Sequence, residues 1–268
     1  MQGCGFVLFT DGGAVLHLAA LVMTAVCNDE RRRFVLRYGK IGIMGAMKEE
    51  IELLHRHADI KDSRSKAGIE YVEATLHGKQ IVFCKSGVGK VNAAVCTQVL
   101  IDQGVDCVLF TGVAGALDPE LEVGDIVIST SCVQHDMDVT PLGFPRGVIP
   151  FQDRSSDFTA DPALIDMAVQ AAKTLYPDHY RTGKVLSGDQ FIASRDTVAF
   201  LREEMHGTCA EMEGAALAQV CAMNDVPYVV IRSMSDKADG GAPDSFEEFT
   251  VKAANRSYAM IEEMLRHM

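Results

Sequence analysis

The sequence predicts an α/β protein with one large domain built around a largely parallel sheet. From Lys40 onward, short apolar segments typical of buried strands alternate with segments of helical periodicity. That alternation is the signature of repeated βαβ units. The chain has 268 residues, of which 48% are hydrophobic and 23% charged. This composition supports a sizeable single core and argues against disorder.

The first 39 residues differ from the rest, and we expect the domain to occupy residues 40–268. The stretch from Ala14 to Cys27 is apolar but too short to span a membrane. Residues 1–13 contain Asp11 and no Lys or Arg, whereas a secretory signal begins with basic residues. We therefore expect a non-functional extension or a misassigned start and a cytoplasmic protein, with export or anchoring as the alternative.

The first half of the domain shows strand, helix, hairpin and helix signals in that order. The hairpin is indicated by His77-Gly78-Lys79 between two apolar runs, and the second helix by the glycine-rich turn that starts at Ser86. That turn lacks the P-loop spacing, so we expect no nucleoside triphosphate there. The predicted elements are a strand at 41–45, a helix at 47–57, strands at 70–76 and 80–84, and a helix from 90 through 100.

The second half continues the alternation and adds a long loop. Asp161-Pro162 marks a helix start. The loop that contains Phe144 and Pro150 is typical of a lid or an interface. The predicted elements are strands at 107–111, 125–133, 183–186 and 226–236, a helix that begins near 211, and helices at 161–175 and 245–265.

Polar residues gather at the end of one buried strand and at the start of one helix. Arg232, Ser235 and Asp236 end the strand, and Glu211 and Glu213 open the helix. An α/β protein builds its site at such places. Glu211 is more simply a helix cap, and Arg232 either neutralises a buried carboxylate or holds a water molecule.

Other candidates follow from small and aromatic residues. Gly115 follows a buried strand, where the lack of a side chain lets a ligand approach the backbone. Phe191 is equally a core residue or a stacking wall for a planar base. Glu49 is best interpreted as solvated, whereas Glu50 is a candidate catalytic carboxylate.

Charge, cysteine and histidine patterns exclude several classes of function. The net charge of -12 carries no basic cluster, so nucleic acid is not an expected partner. The eight cysteines are scattered through apolar segments without a Cys-x-x-Cys pair, which favours buried reduced thiols. His135, Asp136 and Asp138 could be drawn as a metal cluster, but no second histidine stands at ligand spacing. We expect no metal and no cofactor.

Taken together, ordered motifs across residues 40–268 resemble the 5′-methylthioadenosine/S-adenosylhomocysteine nucleosidases, within the nucleoside phosphorylase superfamily. Each motif alone is weak, whereas the ordered set is specific. The motifs are Ile-Gly-Ile-Met-Gly-Ala-Met-Lys-Glu-Glu at 41–50, Lys-Ser-Gly-Val-Gly-Lys-Val-Asn-Ala-Ala at 85–94, Thr-Gly-Val-Ala-Gly at 111–115, Val-Gly-Asp-Ile-Val at 123–127, His-Asp-Met-Asp-Val-Thr at 135–140, Ser-Gly-Asp-Gln-Phe-Ile at 187–192, Glu-Met-Glu at 211–213 and Arg-Ser-Met-Ser-Asp at 232–236.

The resemblance implies a three-layer αβα sandwich around a mixed, partly barrel-like sheet, assembled as a homodimer. It implies hydrolysis of the N-glycosidic bond of methylthioadenosine or S-adenosylhomocysteine, a step in methionine salvage. Asp236 would protonate N7 of adenine, Ser235 would orient Asp236, and Glu50 would accept a proton from the attacking water. The loop from Leu142 to Pro150 would reach the partner's pocket.

The resemblance also assigns the substrate contacts. Glu213 would bind the ribose hydroxyls beside Met212. The backbone at Ile192 would bind the adenine edge, and Phe191 would stack on the base. Phe246 would cover the sugar and the alkylthio group.

Cleavage of an N-glycosidic bond requires these residue types, whatever the family. Adenine is a poor leaving anion until N7 is protonated, so the acid must keep its proton near neutral pH, which burial beside other carboxylates promotes. The ribose gains oxocarbenium character, which carboxylates stabilise.

Two other functions compete with this interpretation. A purine nucleoside phosphorylase would attack with phosphate, which Glu49 and Glu50 would repel. A non-catalytic nucleoside-binding protein would lack the acid or the base, yet both are present.

Val113 and Leu142 replace a serine and an aromatic residue of some relatives, so rate and specificity stay open. The sequence does not rank methylthioadenosine, S-adenosylhomocysteine, 5′-deoxyadenosine and aminodeoxyfutalosine.

Overall fold

The computed structural model of the protein describes residues 38–237 and 242–268, without the side chains of 242–248. Strands and helices alternate along the chain as the sequence predicts. The strands are β1 (Lys40–Gly45), β2 (Asp59–Lys66), β3 (Ile69–Leu76), β4 (Lys79–Lys85), β5 (Cys107–Ala116), β6 (Ile126–Gln134), β7 (Phe158–Thr159), β8 (Tyr180–Ser187), β9 (Cys209–Glu211) and β10 (Tyr228–Asp236). The helices are α1 (Lys48–His57), α2 (Lys90–Ile101), α3 (Pro162–Leu175), α4 (Arg195–Glu203), α5 (Gly214–Met223) and α6 (Ala242–His267), with a 3₁₀ turn at Thr140–Leu142.

One sheet contains all of these strands, and part of it closes into a ring. Strands β10, β6, β8, β9 and β5 follow one another, and β10 also pairs with β5. From β5 the sheet continues outward through β1, β4, β3 and β2, while β7 pairs with β6. The ring carries no free edge among its own strands, so its backbone groups are satisfied by neighbouring strands.

Helices flank the sheet in two groups. Helix α6 contacts β5 and β10, and both α1 and α3 pack against it. Helices α2 and α5 pack against each other, and α5 contacts β6 and β8. Every residue of β10 is buried, as expected for a strand covered on both faces. The three-layer α/β architecture with a mixed, partly barrel-like sheet is confirmed.

The prediction for the sheet needs correction, and four elements were not predicted from the sequence. The sheet is mixed rather than largely parallel, because β2–β3–β4, β5–β9 and β6–β10 pair antiparallel. Strand β2 was missed because its sequence, Asp-Ile-Lys-Asp-Ser-Arg-Ser-Lys, forms an exposed strand without apolar alternation. Strands β7 and β9 and helix α4 were also missed; β7 is only two residues long and β9 only three.

The hairpin, the helix start and the cysteines agree with the sequence predictions. Strands β3 and β4 pair antiparallel across residues 77–78. Asp161 caps α3 by accepting the N–H groups of Ala163 and Leu164. The six cysteines in the described part of the chain are buried, and none of them forms a disulfide bond. Residues 1–37 of the predicted 39-residue extension lie outside the described residues, and they include the other two cysteines, Cys4 and Cys27.

Within residues 38–237 and 242–268, no helix combines the length and apolar character needed to cross a membrane.

Candidate active site

A cavity of about 250 Å³ opens where strands β1, β5, β9 and β10 end and helices α1 and α5 begin. Most of the predicted site residues line it together, although they are far apart in sequence. The lining consists of Ala46, Met47, Glu50, Val88, Val113, Ala114, Gly115, Gln190, Phe191, Ile192, Ala210, Glu211, Met212, Glu213, Ser235 and Asp236. The cavity is therefore the candidate active site.

Glu50 lies in the first turn of α1 and is buried, with 3% of its surface exposed. One of its carboxylate oxygens, Oε2, accepts the backbone N–H groups of Ala46 and Met47 at 2.6 and 2.9 Å. The other, Oε1, accepts the N–H of Val113 at 3.1 Å. A glutamate at the third helical position commonly reaches back to the N-cap in this way. The side chain is thereby fixed at the junction of β1, α1 and β5.

Beneath the cavity lies a charged group that we call the floor cluster, formed by Glu50, Glu211 and Arg232. The Arg232 guanidinium donates to Glu211 at 2.6 Å, and its carbon lies 3.8 Å from the centre of the Phe110 ring. A Cβ atom at Gly112 would lie 2.7 Å from Glu50 Oε1 and 2.8 Å from an Arg232 nitrogen. Glycine at 112 therefore lets the Glu50 carboxylate and the Arg232 guanidinium approach each other.

The protonation equilibria of the floor cluster follow from burial and from this single cation. Burial raises the pKa of Glu50, although Arg232 and the backbone N–H groups act in the opposite direction. Burial would lower the pKa of Arg232, but the carboxylates of Glu211 and Glu50 outweigh it and raise that pKa. The cluster thus keeps Arg232 charged and makes Glu50 a stronger base than an exposed carboxylate.

Glu213 projects into the cavity from the start of α5. Glu211 caps this helix by accepting the N–H groups of Glu213 and Gly214, as the cap interpretation of its sequence position predicts. Glu213 in turn accepts the N–H of Gly89 at 2.7 Å. Burial, and next the nearby Glu211 carboxylate, raise the pKa of Glu213 to about 8. A glutamate with this pKa can both donate and accept hydrogen bonds near neutral pH.

Asp236 ends β10, where the register shifts between Met234 and Asp236. It is buried, with 2% of its surface exposed. The Ser235 hydroxyl donates to its Oδ2 at 2.8 Å. The orienting role predicted for Ser235 therefore has the required contact.

The other predicted binding residues lie on two sides of the cavity. Phe191 and Ile192 come from the loop after β8, and Phe191 is 48% exposed within that open site. Its side chain is therefore not part of the core. Gly115 lies near the end of β5, and Met212 follows β9.

Two predicted residues have a different outcome. Arg232 is only 1% exposed and does not line the cavity; its direct ion pair is with Glu211. The structure thus favours the interpretation in which it neutralises a buried carboxylate. Phe246 lies outside the residues whose side chains the structure describes.

Sequence reasoning missed several lining residues. The sequence indicates Met47 only as the start of a helix and Val88 only as part of a glycine-rich turn. Gln190 precedes the predicted stacking residue. The glycine-rich turn was the available signal, since its Gly89 N–H holds Glu213.

The charge of the cavity limits its chemistry. Four carboxyl groups line it, those of Glu50, Glu211, Glu213 and Asp236, and no Lys or Arg stands among the described lining residues. The stretch 238–248, whose side chains are not described, contains no Lys or Arg either. Such a cavity suits a polar ligand with hydroxyl groups and a cationic transition state, and it disfavours an anion.

Comparison with known proteins agrees with this geometry. The sequence pattern of the phosphorylase superfamily matches residues 40–266. A protein of Tolumonas auensis named 5′-methylthioadenosine/S-adenosylhomocysteine nucleosidase is 42% identical over 231 residues, which are 85% of this chain and 100% of that protein.

Solved structures show the same relationship. The 5′-methylthioadenosine/S-adenosylhomocysteine nucleosidase of Neisseria meningitidis, in complex with methylthio-immucillin-A, superposes with a TM-score of 0.82 at 39% identity, covering 86% of this chain and 100% of that one. A futalosine hydrolase of Helicobacter pylori superposes with a TM-score of 0.80 at 35% identity, covering 85% and 98%.

Proposed function

The chain belongs to the 5′-methylthioadenosine/S-adenosylhomocysteine nucleosidases of the phosphorylase superfamily, and on this premise we propose how its cavity works. It is an N-ribosyl hydrolase. It cleaves the N-glycosidic bond of 5′-methylthioadenosine and S-adenosylhomocysteine, releasing adenine and the thioribose sugar. The observation that carries the mechanism is the convergence of Glu50, Glu213 and Asp236 on one cavity without a lining cation among the described residues.

Asp236 acts as the general acid toward the base. Its carboxyl group protonates N7 of adenine, which turns a poor leaving anion into a neutral leaving group. The Ser235 hydroxyl donates to one carboxyl oxygen of Asp236 and thereby orients the group toward the base. Phe191 stacks on adenine, and the backbone at Ile192 contacts its edge.

Glu50 acts as the general base, and Glu213 binds the ribose. Three backbone N–H groups and the Arg232 charge fix the Glu50 carboxylate, which accepts a proton from the attacking water. Glu213 binds the ribose hydroxyls beside Met212. The negative charge on Glu50, and that on Glu213 in the fraction of molecules in which it is ionised, stabilises the positive charge that develops on the ribose as the bond breaks. On the family resemblance, we assign to Phe246 the cover over the sugar and the alkylthio group.

Water, rather than phosphate, is the nucleophile. A phosphate dianion in this cavity would meet the carboxyl groups of Glu50, Glu211, Glu213 and Asp236 and no lining cation among the described residues. The Arg232 charge is already engaged by Glu211 behind the lining. Like charges at short range in a poorly solvated pocket repel strongly. A purine nucleoside phosphorylase is therefore not favoured.

The test is incubation of the purified protein with methylthioadenosine in the presence and absence of phosphate. We expect adenine to appear at the same rate in both, together with free rather than 1-phosphorylated sugar. A requirement for phosphate would show phosphorolysis instead. Tight binding without adenine release would show a nucleoside-binding protein.

The same assay ranks the substrates that the sequence leaves open. One structural relative is a futalosine hydrolase, so aminodeoxyfutalosine belongs beside S-adenosylhomocysteine and 5′-deoxyadenosine in the series. Comparison of kcat/KM values gives the preference directly.

We further propose a cytoplasmic homodimer that acts in methionine salvage through its domain at 40–268. Exposed apolar side chains support a second copy as partner: Val91 on α2 is 75% exposed and Leu142 is 64% exposed. The loop from Leu142 to Pro150 is placed at the partner's pocket in this proposal. Light scattering after size exclusion tests the dimer, and a monomeric mass with full activity would contradict it.

A further inference from the structure

A hydrogen-bonded group of charged residues beside the cavity has no part in the mechanism above. We call it the rim network and define it as Lys90, Asp136 and Asp189. None of the three lines the cavity. They come from the start of α2, from the segment after β6 and from the loop after β8.

Lys90 and Asp136 form the centre of the rim network. The Lys90 ammonium donates to Asp136 Oδ1 at 2.6 Å and to the side-chain oxygen of Gln134 at 3.0 Å. The two charged side chains are 18% and 15% exposed. Because they are largely shielded from water, their attraction exceeds that of a fully exposed pair.

Asp189 connects this pair to both walls of the cavity. Its backbone N–H donates to Asp136 at 3.0 Å, and its carboxylate accepts the backbone N–H of Lys90 at 2.8 Å. Residue 189 opens the loop that carries Phe191 and Ile192 toward the base. The rim network therefore sets where this loop lies.

Gly89 connects the network to the ribose side. It precedes Lys90 directly and has a φ angle of 98°, a conformation that suits glycine. In that conformation its N–H reaches Glu213 at 2.7 Å, while a Cβ would lie 3.1 Å from the Asp189 carboxylate. The contacts that hold the loop of Phe191 and Ile192 therefore also hold Gly89, whose N–H binds Glu213.

We propose that the rim network is a positioning device that couples the base wall to the ribose carboxylate, so that both are preset before the nucleoside binds. This inference rests on the proposed function of the cavity. Glu50 and Asp236 are held by their own separate contacts, described above. Loss of the network should accordingly weaken nucleoside binding far more than it slows the chemical step.

The test compares Asp136→Asn and Lys90→Met with the wild type. We expect KM for methylthioadenosine to rise about tenfold in each variant, while kcat stays within about threefold. The double variant should be no worse than the poorer single variant, because both substitutions break one interaction. Lys90→Arg should restore most of the affinity, since it keeps the charge and the donor groups.

A surface pair offers the matched control. Lys66 pairs with Asp102 and the two side chains are 52% and 37% exposed, so Lys66→Met removes a similar ion pair far more open to water. It should change neither KM nor kcat.

Two results would overturn the proposal. Unchanged KM in Asp136→Asn with a lowered Tm would give the network a structural role only, and a fall in kcat at constant KM would place it in the chemistry. Calorimetric binding of a non-hydrolysable methylthioadenosine analogue to each variant separates this inference from the proposed function. Failure of the wild type to release adenine would refute the function, whereas equal affinity of variant and wild type would refute the positioning role.

Discussion

The floor cluster and the rim network are built from the same kinds of side chain but hold charge differently. In the floor cluster, Glu50 and Glu211 share one cation, Arg232, and burial raises the pKa of Glu50. In the rim network, burial would also raise the pKa of Asp136, but its hydrogen bonds with Lys90 and with the Asp189 N–H outweigh burial and lower that pKa. Each group holds one cation and two carboxylates, so depth and the direct contacts of each carboxylate decide what each group can do.

The difference separates proton transfer from positioning. A buried carboxylate such as Glu50, whose nearby cation pairs directly with another carboxylate, accepts a proton readily, which suits catalysis. A carboxylate matched by its own ammonium stays ionised and keeps its geometry, which suits the placement of loops. Three substitutions sharpen this contrast.

The largest effect is expected for Glu50→Gln in the floor cluster. The amide cannot take a proton from water, so turnover of methylthioadenosine should fall by roughly 10²- to 10⁴-fold. Steady-state kinetics measures the loss, and calorimetry with adenine should show binding close to that of the wild type. A variant with turnover near that of the wild type would remove Glu50 from the role of base.

The next effect concerns stability. Arg232→Met leaves Glu50 and Glu211 buried without their cation, which typically costs about 3–5 kcal/mol of unfolding free energy. Urea denaturation measures the change, and Lys90→Met in the rim network provides the comparison, with an expected loss of about 1 kcal/mol. Equal losses in the two variants would erase the distinction between floor and rim.

The smallest effect is a pH dependence set by Glu213. Its pKa rises from 4.5 to about 8 on folding, so its contribution to stability is complete below pH 4.5 and is lost as the pH rises through 8. The wild type should therefore lose unfolding free energy between pH 5 and 8, and in Glu213→Gln this loss should be smaller by more than about 1 kcal/mol. Asp136 should not contribute in this range, because a lowered pKa acts only at more acidic pH.

Thermal unfolding at pH 5, 6, 7 and 8 checks this prediction. Parallel curves for the wild type and Glu213→Gln would show that Glu213 does not carry the elevated pKa. Asp136→Asn is the control, and its curve should run parallel to that of the wild type over the same interval.

Much of the fold followed from local patterns. The alternation of apolar strands with amphipathic helices, the glycine hairpin at residues 77–78 and the proline start of α3 were all evident in the sequence. The exposed strand β2 and the short strand β9 were not, because neither has enough apolar alternation to be recognised. Closure of the ring by the β5–β10 pair joins residues more than a hundred positions apart.

The site divides in the same way. The acids at 50, 213 and 236 were evident from their places at strand ends and helix starts and from the family motifs. The rim network was not, since Asp136 looked like part of a weak metal motif and Lys90 like part of a glycine-rich turn. Nothing local relates these two residues, and their contact joins separate loops.

The sequence by itself determined the kinds of chemistry available, because it fully specifies the residue types and the order of the motifs. It placed carboxylates, an aromatic residue and glycines at the ends of predicted elements. Only the tertiary structure decided which carboxylate pairs directly with a cation and which backbone N–H meets each oxygen. The physical reason is that burial and Coulomb interaction depend on distance in space, and the folded chain sets those distances between residues that its order keeps apart.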